Sequence, residues 1–376
     1  MTTEIQNVVV VGGGAAGTMI CRKLSTKLDP RRHKLILVTA RPYYTHLPPC
    51  IRMVVTPQGA LENQVHIPYD TLFTGKRSIG RVVIAKVVGV DENDDKKGGK
   101  VRLDSGETID FAVLVVATGC TWEGPLNFPD GREELEKWLA EWRDRFCKAE
   151  DVVIVGGGSV GIEFAGEIRD LSPTKRITIV HDQSLLLNDA YPDSFRKLAA
   201  KNIRKRDVEI ILDDAIHDLG ISDASTIRTA KGRLLVADLV IPCRGPRPNT
   251  SFLAGLEDGP INHAGYVHVI PTLQVWRHPR ILAAGDIIDR DEQKQLQKYP
   301  YHADVVVRNV LDILKGRQPE ALYKGCYERI VISNGKRAGV TYYSYWGPEL
   351  QFGDWVSQVT KSTVFSRDHA KQKLGF

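Results

Sequence analysis

No stretch of this sequence is long and apolar enough to span a membrane, since no uninterrupted apolar run approaches the ~18 residues that a spanning helix needs. The opening residues, Met-Thr-Thr-Glu-Ile-Gln, lack the basic and apolar segments of a secretory signal, and Thr2 stands where N-myristoylation requires glycine. We therefore expect a cytoplasmic protein. Peripheral contact with an intracellular membrane stays open as an alternative.

Cysteine and net charge are also too sparse for several classes of protein. The six cysteines are scattered and form no C-x-x-C pair, so we expect reduced thiols and no bound metal. The 51 basic and 46 acidic residues leave a net charge of only +5, dispersed along the chain, which argues against a nucleic-acid partner. The 376 residues are enough for two or three domains, each with its own core.

A run of valines that ends in glycines is the first positive feature. Residues 8–11 are all valine, without polar alternation, which predicts a strand buried on both faces, as in a parallel sheet. Gly12, Gly14 and Gly17 then match G-x-G-x-x-G, in which one glycine turns the chain, one admits a pyrophosphate and one lets helix and strand pack closely. We expect the phosphates at the N-terminus of a helix over residues 14 to about 28.

The same pattern returns in the middle of the chain. Gly156, Gly158 and Gly161 occupy the motif positions after a second apolar strand. Each copy is followed by a further apolar strand, at residues 34–38 and 176–180, at the interval of a βαβ unit. The sequence thus predicts two dinucleotide-binding turns.

Neither copy has the acid that usually binds the ribose hydroxyls after the second strand. Thr39, followed by Arg41, stands in its place in the first copy, and His181 in the second. Thr39 can still make a neutral hydrogen bond to a ribose. Without a carboxylate at His181 the second site would not repel a 2′-phosphate, so NADH and NADPH both remain open.

Two further strand ends carry small or acidic residues suited to a cofactor. Ala117, Thr118 and Gly119 end a buried strand, where small residues let the backbone pass close to a ligand. Gly285 and Asp286 end another, where the carboxylate can bind a polyol hydroxyl. A plain helix cap is the alternative for Asp286.

Together, two G-x-G-x-x-G turns after apolar strands, an Ala-Thr-Gly and a late Gly-Asp resemble the two-dinucleotide-binding-domain flavoproteins over nearly the whole chain. Within that superfamily the short length and the loop Leu-Pro-Pro-Cys-Ile-Arg at 47–52 are most similar to the apoptosis-inducing-factor-like group, with its ferroptosis suppressors and fungal oxidoreductases. The resemblance implies an α/β fold with two Rossmann-like domains. FAD would be bound by residues 1–120 and 241–300, NAD(P)H by an inserted domain of 121–240, and residues 301–376 would form a small C-terminal domain and tail.

The resemblance also assigns roles to individual residues, with FAD bound non-covalently and NADH or NADPH as co-substrate. Arg52 would reach the cofactor from its loop, the backbone of Val87 would meet the adenine, and Asp286 would bind the ribityl and pyrophosphate region. Glu163 would lie near the nicotinamide and flavin rings as the catalytic residue, with a first-turn acid favoured by the helix dipole as the alternative. The pyrophosphate would touch Gly12, Gly13, Gly14, Ala15 and Ala16.

The route of the electrons after the flavin decides the enzyme class. Disulfide reductases of this architecture keep a redox cysteine pair, whereas Cys50 stands without a neighbouring cysteine and is interpreted as buried and inert. We therefore expect a diffusible acceptor, a quinone, and a monomer or homodimer. A redox-sensing protein that acts through partner binding and a reductase of an iron–sulfur protein are the alternatives.

The C-terminal tail mixes apolar and basic side chains. They either pack over the flavin domain and close the acceptor site, or rest weakly on an anionic membrane surface. The residues concerned are Trp346, Phe352, Trp355, Val356, Val359, Val364 and Phe365, with Lys361, Arg367, Lys371 and Lys373.

Overall fold

A computed structural model describes residues 5–75, 78–222, 224–344 and 349–364, with side chains up to residue 359. The helices are α1 (Ala15–Ser25), α2 (Cys50–Val55), α3 (Glu62–Val65), α4 (Arg132–Lys148), α5 (Ser159–Leu171), α6 (Asp193–Arg204), α7 (Tyr299–Leu314) and α8 (Asp354–Val364). The strands are β1 (Gln6–Val11), β2 (His33–Thr39), β3 (Tyr43–Thr45), β4 (His66–Pro68), β5 (Arg81–Ile84), β6 (Val87–Glu92), β7 (Gly99–Leu103), β8 (Thr108–Phe111), β9 (Val113–Val116), β10 (Cys120–Thr121), β11 (Asp151–Val155), β12 (Arg176–Val180), β13 (Val208–Ile211), β14 (Thr226–Arg228), β15 (Leu234–Val236), β16 (Leu239–Pro242), β17 (Arg247–Pro248), β18 (Gln274–Val275), β19 (His278–Ala283), β20 (Glu328–Asn334), β21 (Ala338–Ser344) and β22 (Glu349–Phe352).

The valine strand β1 lies inside a six-stranded sheet. The strand order is β18-β19-β9-β1-β2-β5, and β1 pairs in parallel with β2 and with β9. Val8, Val9 and Val10 are fully buried, so both faces of this sheet are covered, as the unbroken apolar run predicted. A separate antiparallel sheet, β6-β7-β8, follows β5 in the chain.

A second, four-stranded parallel sheet has the order β13-β12-β11-β16. The tryptophan-bearing helix α4 packs beside it, with Trp142 and Phe146 buried, and the ring of Phe146 stacks on Phe164 of α5. One parallel sheet and one that is parallel except for its edge strand β18, each with a glycine turn after an interior strand, confirm the predicted α/β class with two Rossmann-like units.

The chain passes between the two sheets through one short antiparallel pair. It leaves the first sheet through β10 and returns through β17, with Cys120 opposite Pro248 and Thr121 opposite Arg247. The second sheet is therefore inserted into the chain that builds the first.

The C-terminal sheet β20-β21-β22 packs on the second sheet's helices rather than on the first sheet. Ile332, Val340 and Tyr342 are buried there, in the same core as Phe164 and Phe195. The expectation that the apolar tail packs over the flavin domain is wrong for the outermost described side chains. Trp355 and Val359 are 76% and 53% exposed on α8, while Phe352 and Val356 are half-buried. The remaining tail residues lie outside the described side chains: Trp346, Lys361, Val364, Phe365, Arg367, Lys371 and Lys373.

Within the described part of the chain, no helix combines the length and hydropathy that crossing a bilayer requires. Across the same residues, no cluster of three or more His, Cys, Asp or Glu side chains could hold a metal ion.

Candidate cofactor site

The three motif glycines of the first turn differ in their surroundings: two are closely packed and one faces open space. Gly12 has a φ of +107°, and a Cβ there would lie 2.3 Å from the carbonyl oxygen of Ala117, so only glycine fits. A Cβ on Gly17 would lie 1.9 Å from the carbonyl oxygen of Gly12. Gly14 differs, because its φ of −72° suits any residue and a Cβ there would have no atom within 4 Å. That open space at the start of α1 fits a pyrophosphate.

The second glycine turn repeats this geometry. Gly156 has a φ of +117°, and a Cβ there would lie 2.2 Å from the carbonyl oxygen of Cys243. A Cβ on Gly161 would lie 2.1 Å from the carbonyl oxygen of Gly156, and Gly158 again faces open space with a φ of −71°. The two turns therefore offer equivalent open spaces, at Gly14 before α1 and at Gly158 before α5, which we call the first and the second cradle.

The strand beside each turn ends in the same way. The N–H of Ala117 donates to the carbonyl of Val11 at 2.7 Å, and the N–H of Cys243 donates to that of Val155 at 2.7 Å. Two residues later Gly119 and Gly245 have φ angles of +64° and +93°. Cys243-Arg244-Gly245 is thus the second unit's counterpart of Ala117-Thr118-Gly119. This segment was not predicted as part of the site, although a glycine three residues after a buried strand is a visible signal.

Thr39 lies beneath the first turn. It is buried, and a Cβ on Gly13 would lie 2.6 Å from its Oγ1 and 2.0 Å from the Tyr69 hydroxyl. The Tyr69 hydroxyl donates to the carbonyl oxygen of Gly13 at 2.5 Å, and burial raises the pKa of this phenol. Tyr69 was not anticipated from the sequence. The predicted ribose contact of Thr39 stays a prediction.

His181 lies beneath the second turn. The backbone N–H of Gly157 donates to its Nδ1 at 3.1 Å, so the proton of the neutral ring is on Nε2, which lies 3.3 Å from the carbonyl oxygen of Leu187. The ring is buried and both nitrogens have partners inside the protein. The predicted coenzyme contact of His181 stays a prediction. The next residue, Asp182, has a carboxylate that is 70% exposed and was not predicted as part of the site.

The loop after Thr39 carries Arg41, which forms part of a three-residue charge cluster around Asp130. Asp130, which precedes α4, contacts Arg41 Nε at 3.0 Å and Lys86 Nζ at 2.9 Å. Burial alone would raise the pKa of Asp130, but the two cations hold it below its ordinary value. Val87 follows Lys86 at the start of β6, so its predicted adenine contact would lie beside this cluster.

The Gly285-Asp286 turn joins the first cradle. A Cβ on Gly285, whose φ is +82°, would lie 3.1 Å from Cβ of Ala16. Helix α7 holds the turn twice: Tyr299 donates its hydroxyl to Asp286 Oδ1 at 2.5 Å, and Gly285 donates its N–H to His302 Nδ1 at 3.2 Å. Burial raises the pKa of Asp286. Since β1, β9 and β19 are parallel neighbours, their carboxyl ends gather all three predicted motifs at one edge of the sheet.

Glu163 is the fifth residue of α5, beyond the first turn, so the alternative of a first-turn acid is wrong. Its Oε1 accepts hydrogen bonds from the backbone N–H and the hydroxyl of Ser333, both at 3.0 Å. The C-terminal sheet therefore fixes this side chain. Its catalytic role stays a prediction.

Arg52 and Cys50 both lie on α2. The guanidinium of Arg52 binds the carboxylate of Glu167 on α5, and its predicted cofactor contact stays a prediction. The thiol of Cys50 is buried and donates to the carbonyl oxygen of His46 at 3.3 Å. Burial raises its pKa to about 12, which makes it a poor nucleophile, as predicted.

Comparison with known proteins decides the family. The sequence model of the pyridine nucleotide-disulphide oxidoreductases matches residues 6–308. The chain belongs to this family. Membership confirms the predicted oxidoreductase chemistry, with FAD and a nicotinamide coenzyme as cofactors, and the two open cradles fit both dinucleotides.

The relatives of this family member include fungal and animal proteins. It is 43% identical over 310 residues to an FAD-dependent oxidoreductase of Flammulina velutipes, an alignment that covers 82% of this chain and 95% of the other. It is 27% identical to apoptosis-inducing factor homolog B of Dictyostelium discoideum, over 96% and 95% of the two chains. It is also 27% identical to ferroptosis suppressor protein 1 of Homo sapiens, over 96% and 93%. The predicted resemblance is therefore confirmed.

Among solved structures, the fold is similar to the sulfide:quinone oxidoreductase of Aquifex aeolicus. The TM-score is 0.75 with 16% sequence identity, and the match covers 96% of this chain and 90% of the other. At this identity the likeness shows the shared fold.

Proposed function

We propose that this oxidoreductase takes a hydride from NADH or NADPH and passes the electrons to a quinone. Residues 1–120 and 241–300 would bind FAD, and residues 121–240 would bind the coenzyme. In sum, NAD(P)H, a proton and a quinone give NAD(P)⁺ and a quinol. When bound, FAD accepts the hydride and gives two electrons to the acceptor.

The observation that carries this proposal is the pair of equivalent cradles without a redox disulfide beside the first. Gly14 and Gly158 both face open space, whereas Cys50 on the loop side is free and buried. A thiol in that state does not exchange with a disulfide substrate. The shared fold with a sulfide:quinone oxidoreductase supports a quinone as the acceptor.

A steady-state screen of the purified protein tests the acceptor. We expect short-chain ubiquinone and menadione to be turned over at least about tenfold faster than glutathione disulfide or a lipoyl disulfide, since only the latter need a reactive thiolate. Cys50→Ser should leave the quinone rate unchanged. Faster turnover of a disulfide, or loss of quinone activity in Cys50→Ser, would overturn the proposal.

We further propose that α8 rests weakly on an anionic membrane surface, where a hydrophobic quinone is found. Trp355 and Val359 are four residues apart on one helix face, and both are exposed. We expect salt-sensitive sedimentation with vesicles of phosphatidylcholine and phosphatidylserine, reduced in Trp355→Ala. Trp276→Ala is the matched control, because Trp276 is another exposed tryptophan, at 37%, remote from α8 in the sequence. Equal binding by both variants would contradict this contact.

A further inference from the structure

We propose that two arginines, Arg52 and Arg143, clamp the two dinucleotide-binding units together and so set the distance between nicotinamide and flavin. The inference rests on the hydride transfer of the proposed function and does not depend on the acceptor. It gives Arg52 a positioning role that differs from the cofactor contact implied by resemblance.

The first half of the clamp reaches from the first unit into the second. Arg52 on α2 donates from Nε to Glu167 Oε2 at 2.9 Å and from Nη2 to Oε1 at 2.8 Å. The Glu167 side chain is 3% exposed and that of Arg52 is 19% exposed. Two parallel hydrogen bonds between planar groups fix orientation as well as distance, and burial keeps water from competing.

The second half reaches in the opposite direction, onto the next residue of α2. Arg143 on α4 donates from Nε and Nη2 to the carbonyl oxygen of Met53, at 3.1 and 2.7 Å. Its Nη2 also lies 2.9 Å from Glu62 Oε2, on α3 of the first unit. Neighbouring residues of α2 are thus bound to two different helices of the inserted unit.

Packing places α2 between the two units. Met53 and Val54 are fully buried, and they belong to the same core as Phe146 of α4 and Phe164 of α5. Helix α2 belongs to the first unit by sequence, but its apolar side chains fill the second unit's core. The clamp lies at the edge of that shared core.

The position of α5 matters for hydride transfer. This helix starts at the second cradle and carries Glu163 one turn before Glu167, on the same face. The inserted unit is joined to the first by two crossing segments that pair only over the two-residue ladder of β10 and β17, so side-chain contacts help to fix the relative position of the two units. Hydride transfer is sensitive to such placement, because a displacement of about 1 Å can cost about 100-fold in rate.

Anaerobic stopped-flow reduction of the FAD-loaded protein by NADH tests the clamp. In Arg52→Lys the charge is kept but the two parallel hydrogen bonds are lost. We expect the limiting rate of flavin reduction to fall by about tenfold or more, while FAD content and the Kd for NADH stay within about twofold of wild type. The deuterium isotope effect with [4-²H]NADH should persist, since the hydride step itself is slowed.

Glu167→Gln and the double variant Arg52→Met/Glu167→Leu probe the same ion pair by other substitutions. The double variant replaces a buried ion pair by apolar groups, so it should fold even if a single variant is unstable. We expect its limiting rate to fall no further than that of Arg52→Lys or Glu167→Gln, because all three remove one interaction.

Asp151→Asn is the matched control. Asp151 forms a bidentate pair with Arg176 wholly inside the second sheet, so its loss should lower the melting temperature without changing the limiting rate. Wild-type limiting rates in all clamp variants would overturn the inference. Loss of FAD from Arg52→Lys with a normal rate for the loaded fraction would overturn it too, by making Arg52 a cofactor ligand. Wild-type flavin that neither NADH nor NADPH reduces would instead overturn the proposed function.

Discussion

A phenol lies beneath the first glycine turn, and an imidazole lies beneath the second. Tyr69 donates its hydroxyl to the carbonyl oxygen of Gly13, whereas Gly157 donates its N–H to Nδ1 of His181. The hydrogen bonds run in opposite directions, and yet the motif glycines above them have similar φ angles, +107° and +117° at Gly12 and Gly156 and −72° and −71° at Gly14 and Gly158. The motif glycines therefore specify the phosphate cradle, while the support beneath it is free to vary.

The largest effect should come from filling each cradle in turn. Gly14→Val places a Cβ that has no atom within 4 Å, at a φ that valine adopts, so the protein should fold and lose its FAD. Gly158→Val should keep FAD and lose reduction by NADH. Flavin absorbance of the purified variants, with melting curves as the test of folding, separates the two cradles. Full flavin content in folded Gly14→Val would contradict the assignment of the first turn.

The next effect concerns a side chain that only the second unit has. Glu163 is the fifth residue of α5, and the fifth residue of α1 is the buried Met19. Glu163→Gln should leave FAD bound and slow flavin reduction about 10- to 100-fold, because the resemblance implies that this carboxylate lies near the nicotinamide and flavin rings. Ser333→Ala removes one of two donors to Glu163 and should give a smaller fall. Stopped-flow reduction by NADH measures both effects. An unchanged rate in Glu163→Gln would show that this residue has only a structural role.

Coenzyme choice should respond to Asp182 rather than to His181. Both ring nitrogens of His181 have partners inside the protein, whereas the neighbouring carboxylate of Asp182 is exposed and would repel a 2′-phosphate bound beside it. Asp182→Ser should raise the ratio of kcat/KM for NADPH over NADH by about tenfold, equivalent to ~1.4 kcal/mol. Specificity constants for both coenzymes measure this. A wild-type preference for NADH above about a thousandfold, left intact in Asp182→Ser, would place selection at another residue.

The smallest effect should be acid sensitivity at the ion pairs that Asp130 forms with Arg41 and Lys86. The pKa of Asp130 is lowered in the folded protein, so its ion pairs contribute stability above its ordinary pKa of about 3.9 and lose it as pH falls further. Because the group is partly exposed, we expect less than about 1 kcal/mol. Melting temperatures between pH 3 and 6 should fall more steeply for wild type than for Asp130→Asn. Parallel curves would show that the ion pairs of Asp130 do not contribute to the stability of the folded protein.

Most of the fold and both cradles could be predicted from local sequence, because a strand, a glycine turn and a helix are specified by adjacent residues. The first helix ends at Ser25, short of the expected end near residue 28, because the chain closes there in a turn in which the N–H groups of Lys27 and Leu28 both donate to the carbonyl oxygen of Leu24. The supports could not be predicted, because they come from far along the chain. Tyr69 is 56 residues from Gly13, and Ser333 is 170 residues from Glu163. No local spacing encodes such contacts.

The ladder between β10 and β17 has a consequence for how this architecture is assembled. The inserted segment enters and leaves at adjacent points, Thr121 opposite Arg247, so its ends are already close enough for a tight turn to join them. In chain topology, the inserted unit is therefore a removable module whose excision would leave the first parallel sheet with its strand order intact. Excision would nonetheless expose Met53 and Val54 to water, because these side chains are buried in the core of the inserted unit. The inserted unit can therefore be removed in chain topology, but the first unit would be less stable without it.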